Sequence, residues 1–246
     1  MDTLKFFGTG SAFNTEKGNN SAYIRVGTDL IILDMGGDVL PKMVKLNVLE
    51  GISKVHILIT HMHGDHVGGL SNTILYLYSR VFRHQPEKIC VYFPNPALAD
   101  YLHMQGVARD KYTFYVNLWD ELFLEDQRLT AEYAFEKTEH DPIFEGHVYG
   151  IDLTVNKDYH IFYSGDSKLF NPKLKEIHNY TAVYHETTMN PRGVVHFQYN
   201  DLLEVTKDFK PGERAKIHLM HLDADFDTEQ ALADGFSIVE AEPIPV

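Results

Sequence analysis

The sequence has almost no cysteine. Of its 246 residues a single one is cysteine, Cys90, and it lies inside the apolar run KICVYF. A lone cysteine excludes an intramolecular disulfide and disfavours thiolate metal ligation. We expect this residue to be a small, buried apolar side chain rather than a nucleophile.

Long hydrophobic runs are also missing. No stretch of about 18 uninterrupted apolar residues occurs, and the opening MDTLKFFGTG enters a strand-like segment without the basic and apolar regions of a signal peptide. We therefore expect a cytoplasmic protein with no membrane partner. Low-complexity tracts, flexible linkers and short-period repeats are absent as well, which favours one domain over residues 1–246.

Positive charge is scarce. The chain has 22 basic and 35 acidic residues, a formal net charge of −13. Binding to the nucleic-acid backbone without sequence preference depends on clustered Lys and Arg. Extended nucleic acid is therefore a poor candidate partner. Bound divalent cations would offset part of the negative excess wherever acidic ligands converge.

What the sequence does contain is a regular succession of apolar runs bounded by Gly, Asn and Asp. They predict strands at residues 4–10, 21–27, 30–36, 55–60, 111–118, 129–140, 147–155, 159–166, 181–186, 216–222 and 237–241. Helical patterns occur at residues 38–48, 68–82, 96–105, 172–179, 199–209 and 228–236. A meander followed by alternating strands and helices occurs twice, which indicates an α/β fold with two sheets, each covered by helices on its outer face.

The segment THMHGDHVGG, residues 60–69, concentrates potential metal ligands. His61, His63, Asp65 and His66 fall within six positions on a glycine-containing loop after a predicted buried strand. Alternate side chains can converge on one point while the next pair reaches a second point nearby. One tetrahedral zinc takes three or four ligands, so this density favours more than one ion, with a solvated histidine loop as the alternative.

Three further candidate ligands follow strand-like segments downstream: His140, Asp166 and His221. Side chains at the same end of neighbouring strands can meet around one pocket. Taken singly, His140 could cap a turn and Asp166 could be an ordinary turn residue. The joint pattern favours one shared site.

These residues resemble a known signature, because HMHGDH matches the His-x-His-x-Asp-His motif of the metallo-β-lactamase superfamily. The resemblance extends from FGTGSAFNT and LIILDMGG to HLMHLD. It implies an αββα sandwich of two mixed sheets flanked by helices, with two divalent metal ions, most simply Zn²⁺ and alternatively Mn²⁺, at the sheet edges. It also implies that His61, His63 and His140 hold one ion, that Asp65, His66 and His221 hold the second, and that Asp166 bridges them.

Asp34 in LIILDMGG matches another position of the superfamily. The resemblance implies that its carboxylate accepts the remaining N–H of a metal-bound histidine and so orients that ring. A plain turn aspartate is the competing interpretation.

The segments after Asp166 resemble ribonuclease Z enzymes. VYHETTMN is similar to their His-Glu-Ala-Thr motif, and the segment from residue 194 is similar to their His-Ser-Thr segment, although His-Phe-Gln stands here. By that resemblance His196 faces the scissile phosphate, Glu186 holds its ring, and Asp65 both binds metal and orients the nucleophile. A helix-start histidine without catalytic function is the alternative.

Ribonuclease Z holds tRNA with a long arm between the third histidine ligand and the bridging aspartate. Here His140 and Asp166 lie too close in sequence for such an arm. The short chain with GTGSAFNTEKGNNSAY most resembles the phage anti-Pycsar proteins, which destroy cyclic pyrimidine nucleotide signals of bacterial defence. This implies hydrolysis of cyclic mononucleotides to linear nucleotides, a homodimer, and action in the host cytoplasm if the protein is phage-encoded.

Other activities remain open from the sequence. A ribonuclease Z-like tRNA 3′-processing endonuclease, a phosphonate-pathway cyclic-phosphate diesterase, and a thioesterase or glyoxalase-like hydrolase share much of the pattern. The aromatic residues Phe13, Phe197 and Tyr199 could stack on a nucleobase, but core packing is the favoured interpretation for each. For Ser11 and Asn14, turn chemistry is favoured over ligand contact.

Overall fold

The backbone forms two mixed β-sheets, one of six strands and one of seven. The computed structural model describes residues 3–210 and 212–245, so residues 1, 2, 211 and 246 of the predicted domain lie outside the described part. The two sheets with their flanking helices confirm the predicted α/β fold.

The first sheet keeps its strands in chain order. The strands are β1 (Lys5–Gly8), β2 (Ser21–Val26), β3 (Asp29–Leu33), β4 (Lys54–Leu58), β5 (Ile89–Tyr92) and β6 (Thr113–Tyr115). β1 to β3 are antiparallel neighbours, whereas β3 to β6 are parallel. Parallel neighbours need crossover connections, and these carry α1 (Val39–Lys45), α2 (Gly64–Val67), α3 (Leu70–Tyr76) and α4 (Ala97–Met104).

The second sheet repeats the plan of a meander followed by parallel crossovers. Its strands are β7 (Trp119–Glu121), β8 (Ala131–Lys137), β9 (Tyr149–Val155), β10 (Tyr159–Tyr163), β11 (Ala182–Glu186), β12 (Ile217–Met220) and β13 (Ser237–Ile238). β7 to β10 are antiparallel and β10 to β13 are parallel. The crossovers carry a 3-10 helix (Pro172–Asn179), α5 (Tyr199–Val205) and α6 (Thr228–Ala233). Single 3-10 turns lie at Pro86–Lys88, Arg109–Lys111, Pro142–Phe144 and Arg214–Lys216.

Strand alternation divides the core into two clusters. On β11, Tyr184 belongs to the large cluster that includes residues of both sheets, whereas its neighbour Val183 belongs to the cluster containing Leu202 of α5 and Ala231 of α6. Successive side chains of a strand point to opposite faces, so β11 contacts the other sheet on one side and helices on the other. Cys90 is buried in the larger cluster, as predicted.

One predicted strand is shorter than expected. Residues 111–118 were expected to form a single strand, but they supply β6 to the first sheet, and β7 then opens the second sheet just beyond. The backbone leaves β6 after Tyr115, and the carbonyl of Leu118 already accepts a hydrogen bond from the Phe135 amide of β8. This segment is therefore the passage between the sheets.

The helices differ from the predictions mainly in length and type. The pattern at 172–179 forms two short 3-10 turns on either side of Glu176, whose dihedral angles (φ −93°, ψ 50°) are not helical, and it buries Leu174 and Ile177. The pattern at 68–82 forms α3 followed by a π-helical turn, Leu77–Val81. Within residues 3–210 and 212–245, no helix has both the length and the apolar character needed to cross a bilayer.

Two glycines, Gly36 and Gly69, allow segment 60–69 to pack closely against the residues that follow β3. The Met35 amide donates to the His66 carbonyl at 2.6 Å, and the Gly69 amide donates to the Met35 carbonyl at 2.9 Å. A Cβ atom at Gly36 would clash with the backbone oxygen of Asp65, and one at Gly69 would clash with the oxygen of Gly36. The backbones pack so closely that only glycine fits at these two positions.

We expect Gly36→Ala to destabilise the protein by about 2 kcal/mol or more, since backbone atoms must move to admit the methyl group. The melting temperature should fall by roughly 5 °C, which differential scanning calorimetry measures. Gly37→Ala is the matched control, because its Cβ would meet nothing nearer than the Asn19 side-chain oxygen at 3.9 Å. Equal melting temperatures for the two variants would contradict the close-packing argument.

Candidate metal centre

All seven predicted ligands lie together at one edge of the two sheets. Each follows a strand or its loop: the histidine-rich segment follows β4, His140 follows β8, Asp166 follows β10 and His221 follows β12. The carboxyl ends of neighbouring strands open at a shared edge, so residues far apart in sequence meet there. Asp65 and His221, separated by 156 positions, approach to 3.2 Å between Oδ2 and Nε2.

Four of the ligand atoms form a first group, which we call site A: His61, His63, His140 and Asp166. Nδ1 of His63 lies 3.1 Å from Nε2 of His61 and 3.3 Å from Nε2 of His140. Oδ2 of Asp166 lies 3.8 Å from His61 Nε2 and 3.5 Å from His140 Nε2.

Site B, the second group, consists of Asp65, His66, His221 and again Asp166. Oδ2 of Asp65 lies 3.2 Å from Nε2 of both His66 and His221. Oδ1 of Asp166 lies 3.1 Å from His66 Nε2 and 3.3 Å from His221 Nε2. The Asp166 carboxylate therefore gives one oxygen to each site.

The local backbone explains how one loop serves both sites. His63 has extended dihedral angles (φ −66°, ψ 151°), so His61 and His63 are alternate residues of an extended chain and point to site A. α2 begins at the next residue, and its turn directs Asp65 and His66 to site B.

These distances fit divalent cations. With bonds of about 2.0–2.1 Å, two ligands of a tetrahedral ion lie roughly 3.3 Å apart, which matches the separations in both sites. His66 Nε2 and Asp166 Oδ1 are buried without a hydrogen-bond partner although they lie 3.1 Å apart. Buried polar atoms are almost always paired, so this pair of atoms indicates a missing positive partner between them. Imidazole nitrogens with carboxylate oxygens are a donor set suited to zinc.

Hydrogen bonds behind the rings fix which nitrogen faces each site. Nδ1 of His140 donates to the Val195 carbonyl at 2.8 Å, which leaves Nε2 for site A. Nδ1 of His61 donates to Oγ1 of Thr60, whose own proton goes to Asp34. Such partners set the tautomer and the orientation of a ligating ring.

Asp34 accepts a hydrogen bond from the ring of a candidate ligand, as predicted, and also bonds other residues behind the sites. Its Oδ2 accepts from Nδ1 of His66 at 2.8 Å, and its Oδ1 accepts from the Thr60 amide at 2.8 Å. The Tyr163 hydroxyl also donates to Oδ2, at 3.3 Å, and itself accepts from the Asn20 side-chain amide at 2.8 Å. Asp34 has a left-handed backbone (φ 63°), which few residue types other than Gly, Asn and Asp adopt readily.

Burial and the carboxylates divide the histidines into two classes. Burial lowers the pKa of His61, His63 and His140, so these rings are neutral and able to bind metal. Burial opposes charge on His66 and His221 too, but Asp166 and the neighbouring carboxylates outweigh it and raise their pKa. The carboxylates of site B thus favour positive charge, which a bound cation would supply in place of protons.

His196 and Glu186 form a hydrogen-bonded pair beside site A. Nδ1 of His196 donates to Oε2 of Glu186 at 2.9 Å, and the Ser167 amide donates to Oε1 at 2.6 Å. Burial disfavours charge on His196, but Glu186 outweighs this and raises the pKa of the ring to about 9. His196 Nδ1 lies 3.9 Å from Asp166.

Glu186, His196 and His140 also place ligand atoms near one another. We interpret them as a hydrogen-bonded group rather than a third metal site, because both Glu186 oxygens already accept hydrogen bonds and Nδ1 of His140 is bonded to Val195. The prediction that Glu186 holds the His196 ring agrees with these contacts.

A cavity of about 600 Å³ opens over the two sites, within the range of small-molecule pockets. Its lining consists of Ser11, Ala12, Phe13, Asn19, Gly37, His63, Gly64, Asp65, His140, Asp166, Val195, His196, His221 and Asp223. Among the described residues, no Lys or Arg lines it. The charge of a bound anion would therefore have to be offset by cations in the two sites and by the His196 ring.

Sequence reasoning missed four polar residues: Thr60, Tyr163, Asn20 and Asp223. Thr60 directly precedes His61 and Asp223 lies two residues after His221, positions at strand ends that could have suggested them. For Asn20 and Tyr163, which act through Asp34, the sequence carries no distinguishing signal. Asp223 accepts from Ser11 Oγ at 2.9 Å and from Thr188 Oγ1 at 2.6 Å, linking two walls of the cavity.

The aromatic candidates separate in the structure. Phe197 and Tyr199 are buried in the second core cluster, as the favoured interpretation held. Phe13 is 95% exposed, so the expectation of core packing was wrong for this residue. Asn14 donates to the Leu222 carbonyl, which agrees with a structural function in the turn.

We expect Asp34→Asn to weaken metal binding by roughly 10- to 100-fold, the usual cost of losing the partner of a ligating histidine. Asparagine tolerates the left-handed backbone, so the change removes charge without backbone strain. Competition with a chromophoric chelator measures the affinity. Asp166→Ala, which removes an oxygen from each site, should lose metal more completely; unchanged affinity in Asp34→Asn would remove Asp34 from this network.

Comparison with known proteins agrees with this architecture. A family model described as "Anti-Pycsar protein Apyc1" matches residues 2–242. An anti-Pycsar protein Apyc1 of Bacillus phage vB_BsuM-Goe3 is 28% identical over 90% of each chain. Among solved structures, a diphosphatase from the PhnP family superposes with a TM-score of 0.74 at 14% identity, covering 99% of this chain and 96% of the other.

The metallo-β-lactamase fold protein YhfI from Bacillus subtilis superposes with a TM-score of 0.71 at 15% identity, covering 98% of this chain and 96% of the other. These two structures confirm the metallo-β-lactamase fold that the histidine motif predicted. The family match spans nearly all of the residues that build the sheets and both candidate sites. The chain therefore belongs to the anti-Pycsar Apyc1 family.

Proposed function

We propose that this protein is a two-metal phosphodiesterase that hydrolyses cyclic mononucleotides, including cyclic pyrimidine nucleotides, to linear nucleotides. Membership of the anti-Pycsar family supports an activity against such signals. The observation that carries the proposal is the position of His196, which lines the cavity beside site A while Glu186 holds its Nδ1. That arrangement leaves Nε2 of a protonated ring to meet a leaving oxygen.

In this proposal sites A and B each hold a divalent cation. Zn²⁺ is the first candidate because five of the seven ligands are imidazoles, and Mn²⁺ is the alternative. When bound, the two ions would supply Lewis acidity to the phosphate oxygens and make hydroxide available at neutral pH.

The protein's own groups would perform the proton transfers. Asp65 gives Oδ2 to site B and borders the cavity, so its second oxygen can accept a hydrogen bond from the attacking water and orient it. On the other side, His196 donates its proton to the departing sugar oxygen, and Glu186 stabilises the charged ring before the transfer. Opening the cyclic diester in this way leaves a linear monophosphate.

Several features favour a small substrate over tRNA. Residues 141–165, where an RNA-binding arm would be inserted, form only a 3-10 turn and the strands β9 and β10. The cavity lining described above contains no Lys or Arg, and the chain carries a net charge of −13. A polyanion would therefore meet little attraction beyond the two cations, whereas a single phosphodiester needs no more than they provide.

The rival interpretation is a thioesterase or glyoxalase-like hydrolase with the same metal ligands. A thiolate leaves without needing a proton, so the Glu186–His196 pair would have no function in that reaction. The two activities can be separated directly.

The test is a substrate panel with metal-replete protein: 3′,5′-cyclic and 2′,3′-cyclic nucleotides, bis(p-nitrophenyl) phosphate, a precursor tRNA and a thioester. We expect turnover of 3′,5′-cyclic nucleotides with linear monophosphate products by chromatography. Thioester turnover without diesterase activity, or cleavage of precursor tRNA alone, would overturn the proposal. The expected homodimer stays a prediction, which sedimentation velocity on the same preparation tests.

His196→Ala should lower kcat for cyclic nucleotides by roughly 10²-fold while metal content stays unchanged, since the ring donates a proton but binds no cation. The loss should be much smaller with bis(p-nitrophenyl) phosphate, because nitrophenolate is a weakly basic leaving group. His103→Ala, at an exposed position of α4, is the matched histidine control. An equal loss on both substrates would argue against proton donation by His196.

A further inference from the structure

We infer that the ring of Phe13 stacks on the nucleobase of the substrate. Phe13 is then a residue that determines substrate recognition rather than chemistry. The inference rests on the proposed function, because it concerns the same cavity. The side chain of Phe13 is exposed, whereas the backbone of its turn is held by hydrogen bonds.

Phe13 has the most exposed of the large apolar side chains in the described part of the chain, at 95%. A single exposed apolar residue needs no explanation by itself. Phe13 differs from the others because it lines the same cavity as Asp166, His63 and His196. Its ring therefore borders the space in which a substrate would contact the ligands of both metal sites.

The turn that carries Phe13 is fixed to the end of β12. The Ser11 amide donates to the Leu222 carbonyl at 3.1 Å, and the Asn14 side-chain amide donates to the same oxygen at 2.9 Å. In return the Leu222 amide donates to the Thr9 carbonyl at 3.0 Å. The turn is thus anchored next to His221, a ligand of site B.

Side-chain hydrogen bonds to Asp223 also hold this turn. Asp223 accepts from Ser11 on one oxygen and from Thr188 on the other, so the Phe13 turn is tied both to β12 and to the segment that follows Glu186. A turn that is fixed before the ligand arrives loses little conformational entropy on binding. This anchoring distinguishes Phe13 from a residue on a free loop.

Among the described residues that line the cavity, no other side chain is an apolar aromatic ring. The remaining rings of the lining are the imidazoles of His63, His140, His196 and His221, and these are committed to the two metal sites or to Glu186. Phe197 and Tyr199 are buried in the core. A base has a π-face whatever its hydrogen-bonding groups, so an exposed phenyl ring suits it.

The experiment compares a nucleotide with the same phosphodiester lacking its base. Wild type and Phe13→Ala are assayed with 3′,5′-cyclic CMP and with the 3′,5′-cyclic phosphate of 1-deoxyribose. We expect Phe13→Ala to raise KM for cyclic CMP roughly 10-fold with little change in kcat, the range of a lost base–aromatic stack. KM for the base-free diester should change far less, and Phe13→Tyr should restore KM for cyclic CMP.

Phe123→Ala is the matched control, because Phe123 is also exposed (59%) but does not line the cavity. An equal rise in KM for both substrates would show that Phe13 only maintains the turn, and would overturn the inference. Unchanged KM for both substrates would overturn it as well.

Binding of cytidine 5′-monophosphate and of ribose 5-phosphate, measured by calorimetry, separates this inference from the proposed function. If wild type hydrolyses no cyclic nucleotide, the proposed function fails. Stacking still stands if Phe13→Ala weakens binding of cytidine monophosphate selectively. It falls if cytidine monophosphate does not bind, or binds both proteins equally.

Discussion

The site depends on the Asp166 carboxylate and its interactions with the surrounding imidazoles. It is almost completely buried, gives one oxygen to each cluster of ligands, and has no Lys or Arg beside it in the described cavity lining. An ionised carboxylate in such surroundings is tolerated only with positive partners. Imidazoles supply part of that charge, since the field of Asp166 raises the pKa of His66 and His221 against the effect of burial. Cations in both sites would supply it more fully, so binding of metal and stability of this edge of the fold are linked.

The topology provides the geometry for that interaction. Both sheets begin as antiparallel meanders and end in parallel crossovers, which brings the carboxyl ends of β4, β10 and β12 to one edge. Each strand end is then fixed by short contacts. Gly36 and Gly69 let the end of β3 pack on the histidine segment, while Asp34 ties that segment to Tyr163 at the end of β10. The candidate ligands are therefore positioned by backbone packing and by hydrogen bonds behind the rings.

Much of this could be predicted from the sequence because the information was local. The motif HMHGDH gave four ligands on one loop, and apolar runs ending in His140, Asp166 and His221 gave the other three. Two predictions failed because they depend on how distant segments pack. Residues 111–118 have the alternation of one strand, but alternation does not say where the chain leaves the first sheet for the second. Phe13 was expected in the core because most aromatic residues are buried, and only the fold shows that its turn projects over the cavity.

Most of the candidate metal ligands are buried, whereas Phe13 is exposed. The two parts of the site therefore tolerate different substitutions. His61, His66 and His140 are hydrogen-bonded to residues behind their rings, so substitution of any of these three histidines would disturb packing as well as the candidate metal sites. Phe13 contributes almost nothing to the core, and the turn that carries it is secured by other residues. Substitutions there leave the fold intact. In the proposed function, base preference could therefore change by substitution at Phe13 alone, without any change in the seven candidate metal ligands.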